Sequence, residues 1–591
     1  MIQNNYFTEN DDLQLYYNDL VDWDEIVKAY EGEDFGDAKI YADTENERYA
    51  MAPSNVDEAL EFYQATLEAV GEISGTEIAA RAQQMDWKGL KFADGKVTFP
   101  EEMVEVYDIF KDAGLNPYNI KRDYAGLGLP ATVNAIYSEV VSRADTAFSM
   151  TLGLQNLAKT IVRYGDEEQK ETYVTKMASG EYLGAMALTE PNYGSDLRNV
   201  QTKAVKQEDG SYRITGAKRF ISQGCGLGKY PCVILTLART ADNGARGLSL
   251  FIVKSTDVEI GGIEKKMGIH ASPTCEVIYD NSPAEIIGEE GYGLTRYTLS
   301  MMNDARCAVA ALGVGIGSAS YYEARKYASE REQFGHTIDQ IPAVKRMLDR
   351  MERENMAMRL ITGEGARSVD LYLHKAMRIE KKVGLAASER EIKKDADIRF
   401  WDRLASLFTP LSKFYCSEMG VSLASDAVQI HGGAGYTEEY DVARIYRDSR
   451  INTVYEGTTQ LQVVAAIGGL VAGMAPKGNF RLYFENELSR FSPSDTLKEQ
   501  YKMFEEAIDV YKSIEDGQVR DTVAFEVVNI ASRLMCGMLY ERAAGRVEGA
   551  KRDRVLSLAG EYHIDSMAMM HADLYKLKAR GQGAGKLAAA V

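Results

Sequence analysis

Residues 56–180 carry apolar positions at helical spacing: they recur every three or four residues along 56–85, and the stretch 100–113 opens on Pro100 with two Glu in its first turn, as helix starts do. The texture changes at Tyr182. From there to Ile287 come short β-rich runs (182–189, 201–206, 212–221, 233–238, 248–253 and 275–279), separated by turn residues such as Asp209-Gly210, and these predict a compact β domain. After Gly291 the helical period returns and holds to about Gly473, through long segments at 306–334 and 344–371. A Pro476-Lys477-Gly478 break follows. Beyond it Leu497, Tyr501, Phe504, Ile508 and Tyr511 step by four and three behind the capping candidates Ser494 and Asp495, so the tail reads as a further helical block. The chain is expected to be an α+β multidomain protein: an acidic extension (1–55), an N-terminal α-helical domain (56–180), a middle β-barrel-like domain (181–290), a C-terminal α-helical bundle (291–475) and an additional C-terminal helical domain (476–591).

Composition narrows the function classes. Lys+Arg 68 against Asp+Glu 88 give a net charge of −20, and residues 1–50 alone hold 14 acids and 3 bases. Nucleic-acid binding needs a basic stripe, and the best short run, Lys551-Arg552-Asp553-Arg554, is interrupted by an acid. The tail from 476 onward balances 17 bases with 17 acids. The first twenty residues have no basic stretch followed by an apolar one, so no secretory leader is expected. The longest apolar stretch, 463–475, is too short for a bilayer span. Six cysteines without a C-x-x-C pair read as reduced thiols, which points to a cytoplasmic location, and the scattered histidines predict no metal site. The Ala-rich end, 586–591, is assigned no role.

Two glycine clusters bear on chemistry. Gly313, Gly315 and Gly317 lie inside a helical run, where they read as small residues that let helices approach rather than as a dinucleotide fingerprint. His431-Gly432-Gly433-Ala434-Gly435-Tyr436 joins two helical segments and offers unobstructed backbone N–H groups, a surface for a pyrophosphate or a capped helix end. The imidazole of His431 is read as structural. The loop from Thr189 to Asp196 is polar and leaves a strand, as ordinary turns also do.

Taken in order, four segments resemble the acyl-CoA dehydrogenase family of flavoproteins over roughly residues 60–475. They are Leu188-Thr189-Glu190-Pro191 to Gly194-Ser195-Asp196 with Gly216-Ala217-Lys218-Arg219-Phe220-Ile221-Ser222; Gly268 to Glu276; Arg331-Glu332-Gln333-Phe334-Gly335; and Gln429 to Gly435 with Arg447-Asp448-Ser449-Arg450 and Tyr455-Glu456-Gly457-Thr458. The acidic extension, the longer stretch between Arg359 and Ser412 and the block after Pro476 resemble the longer branch that includes 3-methylthiopropanoyl-CoA dehydrogenase. Two positions depart from many relatives: Pro342 stands where a Gln is usual, and Phe220 where a Trp is usual.

The resemblance implies FAD as cofactor and α,β-dehydrogenation of an acyl-CoA thioester, with electrons passed to an electron-transferring flavoprotein. Such a reaction needs a base for the α-proton and a hydride acceptor that no side chain supplies. Glu456 matches the base; the alternative location in some relatives is matched by Ala305, which takes no proton, and Asp304 beside it is the weaker candidate. Met186, Leu188, Thr189, Phe220 and Ser222 match residues lining the flavin ring, with Thr189 and Ser222 as hydroxyl donors. Arg331, Phe334, Gln429 and Gly433 match residues that reach the FAD of a neighbouring subunit, and Thr458 and Gln460 complete the pocket. Ser195, Asn303, Arg306 and Gly457 match substrate-contacting positions, Ser195 near both cofactor and CoA. A homodimer is expected, the last domain covering the surface that shorter relatives use to form tetramers. The rival readings are an acyl-CoA oxidase that uses oxygen and, in another class, a DNA-associated alkylation-response flavoprotein.

Overall fold

The computed structural model describes residues 4–581, so the Ala-rich 586–591 segment lies outside them. The chain divides into two compact units: Met1–Glu9 with Glu31–Ala308, and Asn10–Tyr30 with Val309–Val591.

In the first unit the Val56–Ile73 helix is capped by the Asn55 side chain and buries Ala59, Tyr63, Thr66, Leu67 and Val70 along one stripe. It does not run straight on as the periodicity predicts. A wider turn, Ser74–Ile78, precedes the Ala79–Lys88 helix. Gly71 and Gly75 give the reason: a Cβ there would lie 2.8 Å from the Phe7 nitrogen and 2.4 Å from the Asn4 carbonyl oxygen, so the N-terminal strand of chain crosses where only glycine leaves room. The helices Glu101–Asp112, Ala131–Ala144 and Thr146–Gly153 close the core with Tyr118 stacked on Tyr137 at 4.2 Å and Phe110 set edge-on to Phe148.

The β region of this unit closes on itself. Cys232–Arg239 pairs with Leu248–Lys254, which pairs with Thr274–Ile286, then Tyr212–Ser222, then Lys203–Lys206, and this last strand returns to Cys232–Arg239 through Lys203 and Arg239. That ring is a closed five-stranded barrel. Leu183–Ala187 adds in parallel to Cys232–Arg239, and Glu259–Ile263 adds to Thr274–Ile286. The Glu259–Ile263 strand has no counterpart among the sequence expectations, because Gly261-Gly262 in its middle breaks the apolar alternation and shifts its register.

The second unit is helical among its described residues apart from one short hairpin. The long helices Pro342–Val383 and Ala396–His431 pack along each other, and Gly313 and Gly317 allow the close contacts read from sequence: a Cβ at Gly313 would lie 2.7 Å from the Cys416 carbonyl oxygen. Beyond Pro476 come Asn479–Leu488, Asp495–Ser513, Ala524–Ala544 and Gly549–Gly581, with Ser494 capping the second of these through the Leu497 amide. This block is tied to the bundle by buried charge. Glu364 is reached by Arg542 at 2.5 Å, by Arg367 at 2.8 Å and by the Tyr483 hydroxyl at 2.8 Å. Burial alone would raise the Glu364 carboxyl, but the two guanidiniums overcome that and hold it well below the usual carboxylate range.

The acidic segment 10–30 belongs to this unit and is not loose. It forms the Asp11–Leu15 and Trp23–Glu31 helices, and its acids meet bases of the bundle: Asp19 with Lys551 at 2.6 Å, Asp22 with Arg546 at 2.8 Å, Glu25 with Arg367 at 2.5 Å, and Asp12 with Arg554. The basic run at 551–554 thus faces acids of its own chain. No helix of the described residues is long and apolar enough to cross a membrane.

Candidate functional site

In the first unit Met186, Leu188 and Thr189 lie at the end of the Leu183–Ala187 strand and just beyond it. Leu188, Val200, Leu237 and Leu248 form a small buried cluster against which Met186 and Tyr193 pack, so the loop leaving the strand is rooted in the barrel. Thr189 is joined to the neighbouring strand twice. The Arg219 amide donates to the Thr189 carbonyl at 3.0 Å, and the Thr189 hydroxyl donates to the Arg219 carbonyl at 2.5 Å. The Thr189 side chain is thereby held against the strand that carries Phe220 and Ser222.

Beneath this loop lies a buried ion pair. Lys218 is 0% exposed and donates to Glu190 and to the Leu188 carbonyl, each at 2.9 Å. Glu190 also accepts from the Gln201 and Thr202 amides at 2.7 and 2.9 Å. Burial opposes the Glu190 charge, but Lys218 and the two amides together lower its pKa. Burial pushes the Lys218 ammonium down to about 8 against the pull of Glu190, so it stays charged at neutral pH.

The strand register slips between Lys218 and Ile221, and within that bulge Phe220 takes a φ of 65°. A bulge re-aims a side chain out of the sheet, and the Phe220 ring is 56% exposed. Ser222 follows it, half-buried, and Gln223 is buried with neither amide atom hydrogen-bonded among the described residues. Ser195 is exposed on the loop. Asn303 and Arg306 sit one turn apart on the Leu299–Glu330 helix, the Arg306 guanidinium 3.5 Å from the Asn303 carboxamide oxygen. Asp304 is paired with Lys159 at 3.5 Å.

In the second unit Glu456 lies in the short link between the Arg450–Thr453 turn and the Thr459–Gly473 helix, whose N-terminus Thr458 caps. Glu456 has a φ of 53°, and Gly457 a φ of 87°. Two left-handed residues in succession cost about 1 kcal/mol at the non-glycine position, so neighbouring groups must hold them. Lys413, 1% exposed and reaching from the middle of the Ala396–His431 helix, donates to the Tyr455 carbonyl at 2.8 Å and to the Gly457 carbonyl. Gln462 donates to the Gly457 and Glu456 carbonyls at 2.8 and 3.2 Å. Thr459 is bonded to Glu418. Gln460 is exposed.

Arg331, Phe334, Gln429 and Gly433 lie at another end of the same unit. The hairpin of Glu332–Gln333 and His336–Thr337 turns at Phe334 and Gly335, both with positive φ, and presents the Phe334 ring 89% exposed. Four residues before Arg331, Tyr327 stacks on His431 at 4.2 Å, and His431 in turn bonds the Ala427 carbonyl at 2.8 Å. The imidazole thus splints the hairpin to the glycine turn, and burial lowers its pKa. Gly433 has nothing within 4 Å of its Cβ position. Lys413 and His431 are 18 residues apart on one helix, which separates the Glu456 loop from the glycine turn by about 27 Å.

Lys218, Glu190, Lys413 and Gln462 were not singled out from the sequence. A signal for Lys413 was present: it is the one basic residue in the apolar run 404–423. Lys218 shares the inward parity of Tyr212 and Ile214 along its strand.

The family models described as acyl-CoA dehydrogenase N-terminal, middle and C-terminal domains match residues 61–181, 185–282, and 291–383 with 393–467. The chain is 36% identical over 428 residues to 3-methylmercaptopropionyl-CoA dehydrogenase of Ruegeria pomeroyi, covering 69% of this chain and 70% of that protein. Butyryl-CoA dehydrogenase from Megasphaera elsdenii is similar in structure with a TM-score of 0.56 and 26% identity, over 70% of this chain and 98% of that one. An acyl-CoA dehydrogenase from Bacillus anthracis, solved with FAD, shares the fold at a TM-score of 0.70 and 24% identity, over 87% of this chain and 88% of that one.

Proposed function

Because the chain belongs to the acyl-CoA dehydrogenase family of FAD-dependent oxidoreductases, we propose that it converts an acyl-CoA thioester to the 2-enoyl-CoA with Glu456 as the base. The observation that carries this reading is the held backbone of the loop: Glu456 is fixed in a left-handed conformation by buried donors on three successive carbonyls. A carboxylate on an ordinary surface loop has no need of that support.

The residues present fit the cofactor. The bulge that turns the Phe220 ring outward supplies a flat apolar face, to which Met186, Leu188, Thr189 and Ser222 are also assigned; in the second unit the open backbone at Gly433 leaves room for the diphosphate of another copy's cofactor. When bound there, FAD supplies the hydride acceptor that no side chain offers. Glu456 takes the α-proton on a carboxylate oxygen. The Glu456 backbone N–H receives the thioester oxygen as charge builds on it, the donor placement that gives the largest electrostatic gain. Asn303, Arg306, Ser195 and Gly457 orient the acyl-CoA, and Thr458 and Gln460 border the cofactor.

Arg331, Phe334, Gln429 and Gly433 are assigned to the FAD of a second copy of the chain. The separation of about 27 Å along one helix and the exposed Phe334 ring support a homodimer in which each chain completes the other's cofactor site. Electrons leave to an electron-transferring flavoprotein, in the cytoplasm. The substrate named by the Ruegeria relative, 3-methylmercaptopropionyl-CoA, heads the acyl groups to test.

Anaerobic mixing of the holoenzyme with a panel of sulfur-containing, straight, branched and alicyclic acyl-CoA thioesters tests the proposal. Flavin bleaching with release of the matching enoyl-CoA is expected from at least one. A panel that leaves the flavin oxidised rejects the function, and fast peroxide formation on admitting air reassigns the acceptor to oxygen.

A further inference from the structure

Lys413 occupies a place where a charge is costly. It projects from a helix whose neighbouring positions 407–412 and 414–417 are all buried, and an ammonium taken out of water costs several kcal/mol unless strong acceptors meet it. Here the acceptors include the Tyr455 and Gly457 carbonyls, one on each side of Glu456. Gln462 adds a neutral donor to the Glu456 and Gly457 carbonyls.

The peptide plane converts that clamp into a direction. In a trans peptide the N–H points opposite to the C=O, and there are no cis peptide bonds among the described residues. With the Tyr455 carbonyl turned onto Lys413, the Glu456 N–H points away from the lysine. With the Glu456 carbonyl turned onto Gln462, the Gly457 N–H points away from the glutamine. A positive charge on a carbonyl oxygen also polarises the whole amide and makes its N–H a stronger donor.

We infer that Lys413 is a positioning residue for the dehydrogenation: through the Tyr455–Glu456 peptide it aims and strengthens the Glu456 N–H that receives the thioester oxygen, without touching the substrate. This rests on the reading of Glu456 proposed above. Gln462 acts on the next peptide, holding the Glu456 carbonyl and so turning the Gly457 N–H, and has no share in aiming the Glu456 N–H.

The test compares holoenzyme with Lys413→Met and Lys413→Arg, using a 3-thia-acyl-CoA labelled with 13C at the thioester carbonyl as a probe that cannot be fully oxidised. Isotope-edited infrared difference spectra read the polarisation of that carbonyl. In the unaltered protein its stretch falls in frequency on binding; in Lys413→Met most of that fall is lost, and bleaching by substrate slows about 10- to 100-fold. Flavin content and probe affinity stay within about threefold, and Lys413→Arg recovers part of both signals. An unaltered carbonyl shift and bleaching rate in Lys413→Met overturn the inference. If Lys413→Met does not fold, Lys413→Gln, which keeps a donor but no charge, carries the test, with a smaller loss of shift expected and no loss contradicting it. Should the unaltered holoenzyme neither shift the carbonyl nor bleach, the thioester reading itself fails and the inference falls with it; bleaching in the unaltered protein together with an indifferent Lys413→Met rejects the inference alone.

Discussion

The barrel edge at Phe220 and the loop at Glu456 hang on the same kind of anchor and use it differently. Each has a non-glycine residue at positive φ, 65° and 53°, next to a segment gripped by a fully buried lysine. Lys218 grips with a carboxylate in reach, so the Glu190 charge and its own offset each other while the loop is drawn onto the strand. Lys413 grips the peptide carbonyls on either side of the residue that does the chemistry. Both lysines set an amine on a peptide carbonyl, but the peptide gripped by Lys413 is the one whose N–H belongs to Glu456. The first arrangement suits a surface that has only to stay flat for a ring, the second a loop that must respond to developing charge.

Exchanging the anchors for methionine is the strongest way to break this comparison. Lys218→Met leaves Glu190 charged and buried without its partner, which costs about 3–5 kcal/mol. Urea unfolding and flavin content of the purified protein should both show a large loss. Lys413→Met should cost less stability, about 1–3 kcal/mol for the lost hydrogen bonds, and keep its flavin. Equal destabilisation by the two variants would mean that the lysines serve one purpose.

Titration separates the anchors further. The folded-state pKa of Glu190 is lowered from its ordinary 4.5, so its ionised form contributes stability that is fully present above that value and is lost as pH falls through the lower folded value. The difference in unfolding free energy between the unaltered protein and Glu190→Gln should be greatest at neutral pH and shrink below about pH 4.5. A difference that stays level down to pH 3 would show that the carboxylate acts through packing rather than charge.

The smallest effect expected is on stability alone. Phe220→Gly removes a left-handed non-glycine residue whose ring is exposed, so the relief of about 1 kcal/mol and the added freedom of the unfolded chain nearly cancel. The melting temperature of the apoprotein should scarcely move, while flavin affinity falls. A large drop in melting temperature would place the ring in the core instead.

Much of the architecture was legible because it is periodic. The short β-rich runs of the barrel, the cap at Ser494 and the stripe through Leu497 and Phe504 are local patterns, and the structure keeps them. The Asp11–Leu15 and Trp23–Glu31 helices were hidden because a stretch so rich in acid reads as solvated until its partners Arg546, Lys551 and Arg554, more than 500 residues away, come into view. Glu456 was proposed from the motif around it. Its support was not: no spacing links Lys413 to Glu456, and the left-handed turns at Phe220 and Glu456 fall on residue types that sequence reasoning places elsewhere in conformational space. The Thr189 contact was hidden for a similar reason, since the carbonyl it meets belongs to Arg219 on another strand.

The central claim is that Glu456 removes the α-proton, and proton exchange measures that step apart from flavin reduction. Holoenzyme and Glu456→Gln are incubated in D2O with a 3-thia-acyl-CoA, and deuterium at the α-carbon is followed by mass spectrometry. The account predicts rapid incorporation by the unaltered protein and a loss of about 1000-fold or more in Glu456→Gln, at the upper end of what one acid–base group contributes, with flavin content unchanged. Incorporation by Glu456→Gln at the unaltered rate would contradict it.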